Sequence, residues 1–117
     1  MGYKLNPLAW TATSPATVYV IVHPDYEDLC KIGWAANPAR RCADLSVAFP
    51  FEPPALHGSI TCPNRHVAEA VECNVHHALA DCLTRPNGEW FLIPPDDAMA
   101  IIDDVREELV ARLSLAA

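Results

Sequence analysis

Basic side chains are scarce in this 117-residue chain: eight Lys and Arg stand against fifteen Asp and Glu, a formal charge of −7. That balance weighs against a protein that grips nucleic acid with its whole surface, which leaves a basic footprint. The deficit is uneven. Residues 96–117 hold six of the fifteen acids against Arg106 and Arg112, and the remainder of the chain falls to −3. Lys31, Arg40, Arg41 and Arg65 are left to build a local positive face. Long apolar runs are missing too. Val18 to Val22 is far too short to cross a bilayer. There is no basic-then-apolar leader, so the chain is expected to be cytoplasmic. No internal repeat, low-complexity run, helix-turn-helix, zinc finger or long basic tail is visible. CxxC spacing is absent as well. Cys30, Cys42, Cys62, Cys73 and Cys82 are odd in number and read as free thiols that fill the core. A structural zinc held by some of Cys62, His66, Cys73, His76, His77 and Cys82 stays open, although zinc sites usually bring paired ligands on tight turns.

What is present suits one domain with one core: 51% of the residues are hydrophobic and the length allows little else. Val18–Val22, rich in β-branched and aromatic residues, predicts a buried strand. Leu29–Trp34 predicts a second, joined to the first by a longer loop over residues 23–28. Asn37-Pro38 marks a helix start, since Asn caps free backbone donors and Pro suits the first helical position. That helix is expected to run to about Val47, with Ala39, Cys42, Leu45 and one of Ala48 and Phe49 inward. The prolines at 50, 53 and 54 break it, and a strand over 55–61 follows. Pro63 opens a longer helix to about Cys82, with Val67, Val71, Val75, Ala78 and Cys82 as its apolar stripe. Arg85–Gly88 is a turn and residues 89–93 a short strand. A last amphipathic helix over 94–117 turns Ile101, Ile102, Val105, Leu109 and Leu113 to one side, with acids at its N-terminal end.

The expected class is α/β (α+β), with a central three-stranded, mainly antiparallel sheet flanked by helices in the order β-β-α-β-α-β-α. Residues 1–17 read as an irregular lead-in, docked by Trp10. Residues 18–93 read as the domain proper, and residues 94–117 as a helix packed on it.

Four features carry chemistry. Tyr19 lies on the first strand, Lys31-Ile32-Gly33 closes the second, Arg41 stands three residues after Pro38, and Glu72 and His76 neighbour each other one helical turn apart. Tyr19-Val20, Lys31-Ile32-Gly33, the NPxxR of residues 37–41, the ExxxH of residues 72–76 and Gly88-Glu89-Trp90-Phe91 appear in that order. Together they resemble the GIY-YIG nuclease superfamily, in a branch common in phages and bacteria.

The resemblance implies metal-assisted hydrolysis of phosphodiester bonds by an endonuclease. It places Tyr19 near the attacking water, often as general base, and Arg41 on the phosphoryl oxygens. Glu72 becomes the ligand of one Mg²⁺ or Mn²⁺, with His76 as its neighbour in the site. Residue chemistry agrees with these roles. A hard divalent ion takes carboxylate oxygen and keeps several waters, and arginine's planar fork suits phosphate. Tyrosine's ordinary pKa near ~10 needs a cation to lower it before the phenol can serve as a base. Lys31, Arg40 and Arg65 are candidate contacts to nucleic acid, DNA ahead of RNA. Specificity would come from a homodimer or a targeting partner.

The chain departs from the superfamily pattern at Thr17, at Lys31 in the second motif and at Leu45. The late asparagine of the wider superfamily is matched by Asn87 or replaced by Glu89. These departures leave two other readings open: a catalytically inactive module of the same fold that binds nucleic acid or protein, and a zinc-stabilised interaction domain.

Overall fold

Ala16–His23 form β1 and Tyr26–Ala35 form β2 in the computed structural model, which describes residues 14–86 and 88–116. The two strands run antiparallel with Tyr19 opposite Gly33 and Ile21 opposite Lys31. The longer loop expected over residues 23–28 is corrected to a turn at Pro24-Asp25, with pairing resumed at His23 and Tyr26. A register shift after Val22 allows this. The backbone N–H of Asp25 closes the turn by donating to Nδ1 of His23 at 3.1 Å. Of the lead-in expected over residues 1–17, residues 1–13, Trp10 among them, lie outside the described residues. Ala16 and Thr17 already belong to β1.

Pro38–Ser46 form α1, capped by Asn37, whose side chain accepts the N–H of Arg40. β3 spans Ala55–Cys62, α2 Arg65–Ala78, β4 Trp90–Leu92 and α3 Pro95–Ala116. The class is α+β. The sheet has four strands in the order β3-β1-β2-β4, all pairs antiparallel, so the expected count of three is corrected. β4 is only 3 residues long, too brief to show a period. Its place on the outer edge of β2 is set by backbone bonds at both ends, Ile32 N–H to Glu89 O at 3.2 Å and Ile93 N–H to Asp28 O at 2.8 Å.

The sheet buries both faces because its strands alternate apolar residues that point in opposite directions. Val18, Val20, Cys30, Ile32 and Phe91 form the main core with Val67, Ala68, Val71 and Val75 of α2 and Ala98 and Ile102 of α3. Each fully buried Val or Ile there contributes about 1.5–3 kcal/mol. Tyr19, Ile21 and Ala35 look the other way and pack with Cys42 of α1, beside Leu45 and Trp90. Ala39, expected inward, is exposed, because α1 touches the sheet along a narrow line centred on Cys42.

The second helix also ends earlier than its apolar spacing suggests. After Ala78 the chain tightens into a 3₁₀ turn at Ala80–Cys82, which leaves Ala78 exposed while Leu79 is buried. The tighter turn lets Leu83 bridge to Phe91. Its start is set by Asn64 rather than Pro63. That side chain, fully buried, accepts the N–H of Val67 at 3.1 Å. Among the described residues no helix is long and apolar enough to cross a membrane.

Asn64→Ala is expected to cost about 1–2 kcal/mol, the upper part of the range for a lost cap. At about 4–8 °C per kcal/mol for a domain near this size, thermal denaturation should show a clear drop in Tm. A change under about 1 °C by the same scale would show that the cap does not hold α2 in place.

Candidate active site

β4 stops short, and the edge of β2 beyond it is where the two sheet faces meet. Backbone groups of one strand that point to the same side recur every second residue. The N–H of Ile32 goes to Glu89 of the β4 segment. Its C=O accepts from Nε2 of His76 at 2.7 Å. The next edge donor, Trp34 N–H, goes to the carboxylate of Glu72. Side chains of α2 thus finish the pairing that a longer β4 would have supplied, and unpaired buried backbone groups are avoided. The pairing also draws Glu72 to the strand edge.

Tyr19 reaches the same edge from the opposite face. Its ring lies across Gly33, its partner in the register, and a Cβ built on Gly33 would stand 2.7 Å from Cζ and 3.3 Å from Cε1 of that ring. Glycine is required here for close approach. The occupant of the space is the tyrosine itself.

Tyr19, Gly33, Arg41, Glu72, Lys31 and Glu89 line one cleft of about 420 Å³. Three of the four residues expected to be catalytic, Tyr19, Arg41 and Glu72, are therefore brought together from β1, α1 and α2. His76 is not among the lining residues. Its ring packs on Phe91 at 4.9 Å between centroids. Its Nε2 lies 3.9 Å from Oε1 of Glu72, beyond hydrogen-bond reach. The bond to Ile32 fixes Nε2 as a donor, so His76 ties α2 to the strand.

Of the expected nucleic-acid contacts, Lys31 lines the cleft, where it is paired with Glu89. Arg40 is exposed on α1 outside the lining. Arg65 lies over the Trp34 ring at 5.7 Å and beside Glu69 at 3.6 Å. Asn87 lies outside the described residues. Glu89 is the main addition to the expected set. Its signal in the sequence was its place in the Gly-Glu-Trp-Phe segment, where it was weighed as the replacement of the late asparagine.

Burial dominates the electrostatics. The Tyr19 phenol is pushed up to about 12, because desolvation outweighs the lowering by Arg41 while Glu89, Glu72 and Cys42 add to the rise. Tyr19 is therefore a neutral donor at physiological pH. The lowering that a general base needs is not supplied by its surroundings. Glu72 is raised above the ordinary carboxylate range, first by burial and then by Glu89. His76, the Trp34 N–H and Lys31 act in the opposite direction. The cysteines supply no ligand set. Cys30, Cys42 and Cys62 are buried free thiols, and among the described residues no three His, Cys, Asp or Glu side chains gather as a metal site.

The shift of Glu72 has a sign that can be measured. The unfolded chain ionises this carboxyl near 4.5 while the folded chain holds its proton to higher pH, so stability falls as pH rises through 4.5 toward the folded value. Glu72→Gln should therefore raise Tm at neutral pH, with the gain vanishing below the unfolded value, where both side chains are neutral. An equal gain at acidic and neutral pH would contradict this origin. Gly33→Ala should lower Tm and shift the near-ultraviolet signal of Tyr19, because the ring has to leave its seat; an unchanged spectrum would contradict the contact.

A family model for the T5orf172 domain matches residues 16–106. This is a phage-associated, nuclease-like domain, consistent with a role on nucleic acid. The match is to a different family from GIY-YIG and corrects the resemblance drawn from the motifs. Those short segments have local physical causes: Asn37-Pro38 starts a helix and Gly33 seats a ring, constraints that are not the property of one family. Comparison with curated proteins and with solved structures gives no match. Since the matched segment runs from β1 through the middle of α3 and includes every residue of the cleft, the chain belongs to the T5orf172 domain family.

Proposed function

We propose that the protein is a divalent-cation-dependent endonuclease that hydrolyses phosphodiester bonds in DNA. The observation that carries this reading is the convergence of Tyr19, Arg41, Glu72 and Lys31 on one cleft within a nuclease-like domain. The donors suit Mg²⁺ or Mn²⁺. Glu72 offers a carboxylate on the cleft wall with Glu89 beside it, and hard ions of this kind bind through one or two carboxylates, substrate phosphate and water. When bound, such an ion neutralises phosphate charge and eases ionisation of water.

The remaining work falls to the protein's own groups. The Arg41 guanidinium, planar and permanently charged, holds two phosphoryl oxygens at once and stabilises charge that grows on them. Tyr19 keeps the proton on Oη and donates it as a hydrogen bond to a phosphate oxygen or to water, holding that group over Gly33. Lys31 adds a point charge once phosphate competes for it with Glu89. His76 is a positioning residue, acting through α2 and Glu72. Target choice comes from a second copy of the chain, a targeting partner or DNA structure. We place the activity in the cytoplasm, where unpaired thiols persist.

A non-catalytic nucleic-acid module is the second reading. It is favoured by the neutral Tyr19 and by the Lys31–Glu89 pair, which together satisfy much of the cleft without substrate.

Supercoiled plasmid incubated with Mg²⁺ or Mn²⁺ should be nicked, and chelation should stop the reaction. Arg41→Ala should slow nicking by about 10²–10³-fold, the usual cost of one charge-stabilising donor. Glu72→Ala should reduce it to background. Tyr19→Phe should fall less than either, since it loses one neutral donor and keeps the ring. DNA binding without cleavage in either metal would establish the second reading; full cleavage by Glu72→Ala would remove the first.

A further inference from the structure

Alternation along β1 puts Tyr19 and Ile21 on the same face of the sheet. Trp90, opposite Lys31 in β4, lies on that face and packs against the cluster of Tyr19, Ile21, Ala35 and Cys42. The His23 ring then meets three others, Trp90 at 5.8 Å, Phe49 at 5.6 Å and Tyr26 at 5.0 Å between centroids. An aromatic row therefore leads from Tyr19 in the cleft through Trp90 and His23 to Tyr26 at the hairpin end. It opens progressively along this path. Tyr19 is buried, Trp90, His23 and Phe49 are half-buried, and Tyr26 is 61% exposed. A groove of about 470 Å³ walled by His23, Tyr26, His57 and Pro95 lies at the open end.

The charge around that end narrows the choice of occupant. Asp25, Glu27 and Asp28 are exposed at the hairpin, and Asp96 holds His57 at 2.8 Å. Among the described residues no Lys or Arg lines the groove. A duplex laid along this face would press phosphates against carboxylates, and duplex binding depends on the opposite charge. An unpaired strand meets no such penalty. Its bases turn toward the rings and its phosphates toward solvent, and stacking on aromatics tolerates any base because each has a π-face. Flat sheet faces carrying aromatic rings recognise single strands in this way.

Resting on the endonuclease reading of the cleft, we propose that this row is a stacking track for unpaired nucleotides next to the scissile phosphate. The substrate class is thus a single strand, or a junction or flap with an unpaired arm, rather than uninterrupted duplex. Continuity with the cleft is what assigns the row to nucleic acid: Trp90 touches both the cleft tyrosine's cluster and the ring of His23. A strand lying on His23 and Trp90 is delivered to Tyr19 and Arg41.

The test is fluorescence anisotropy of end-labelled oligonucleotides with the whole protein in a chelating buffer, where nothing is cut. Single-stranded oligo(dT) should bind more tightly than a duplex of the same length. Tyr26→Ala should weaken the single strand about tenfold, the order expected for one lost stack, and leave the duplex unchanged. Tyr26→Phe should retain binding and Tyr26→Leu should not, which separates ring stacking from apolar contact. Circular dichroism melts of all three variants establish that each is folded. Oligo(U) in parallel names the sugar: Tyr26-dependent binding of either polymer supports the track, and the tighter one is the preferred strand. Duplex binding as tight as single-strand binding, or Ala and Leu variants within about twofold of wild type, overturns the proposal. Plasmid nicking together with Tyr26-independent binding sinks this inference alone. Tyr26-dependent binding without Mg²⁺- or Mn²⁺-dependent cleavage of a single-stranded or flap oligonucleotide sinks the endonuclease reading and leaves the track standing.

Discussion

The short fourth strand governs the arrangement of everything else. Because β4 pairs only with Leu29–Lys31, β2 continues past it with backbone donors and acceptors facing no strand. Exposed edges of this kind are costly or hazardous and proteins cover them. Here the covering comes from Glu72 and His76, two side chains one turn apart on α2. An architectural need, satisfying an edge, is met by the residues that bring a carboxylate to the rim of the sheet. Tyr19 arrives at that rim over Gly33, which has no Cβ.

The consequence is an acid and a phenol held partly out of water in one place. Both carry pKa values raised chiefly by desolvation, so burial works against the charged form of each. Arg41 and Lys31 offset this only in part, and Lys31 is already engaged by Glu89. Strain of this electrostatic kind is common at sites tuned for function. It also explains how an acidic protein can serve nucleic acid. The acids of α3 keep the overall charge negative, while Lys31 and Arg41 stand in the cleft itself.

The two sheet faces divide the labour. One is a closed core under α2 and α3, with no polar side-chain atom buried without a partner among the described residues. Among the described residues the other is covered by α1 and the chain that follows it, and retains both a polar cleft and a row of rings in various states of exposure. Lining and track are neighbours because they are alternate positions of the same strands.

The element order, the start of α1 at Asn37-Pro38 and the buried strands were legible in the sequence, because each rests on local rules of periodicity and capping, whereas Tyr19, Arg41 and Glu72 were singled out by the order of the motifs that carried the resemblance. Family was not. The motifs that suggested GIY-YIG are short solutions to local problems, and the match across residues 16–106 assigned the chain elsewhere. Pairing of β4 with β2, the end of α2 at Ala78, the seat of Tyr19 on Gly33 and the entry of Glu89 into the cleft depended on contacts between residues far apart in the chain. Those were decided by the tertiary structure alone, since no local pattern records which free strand edge a distant side chain will complete.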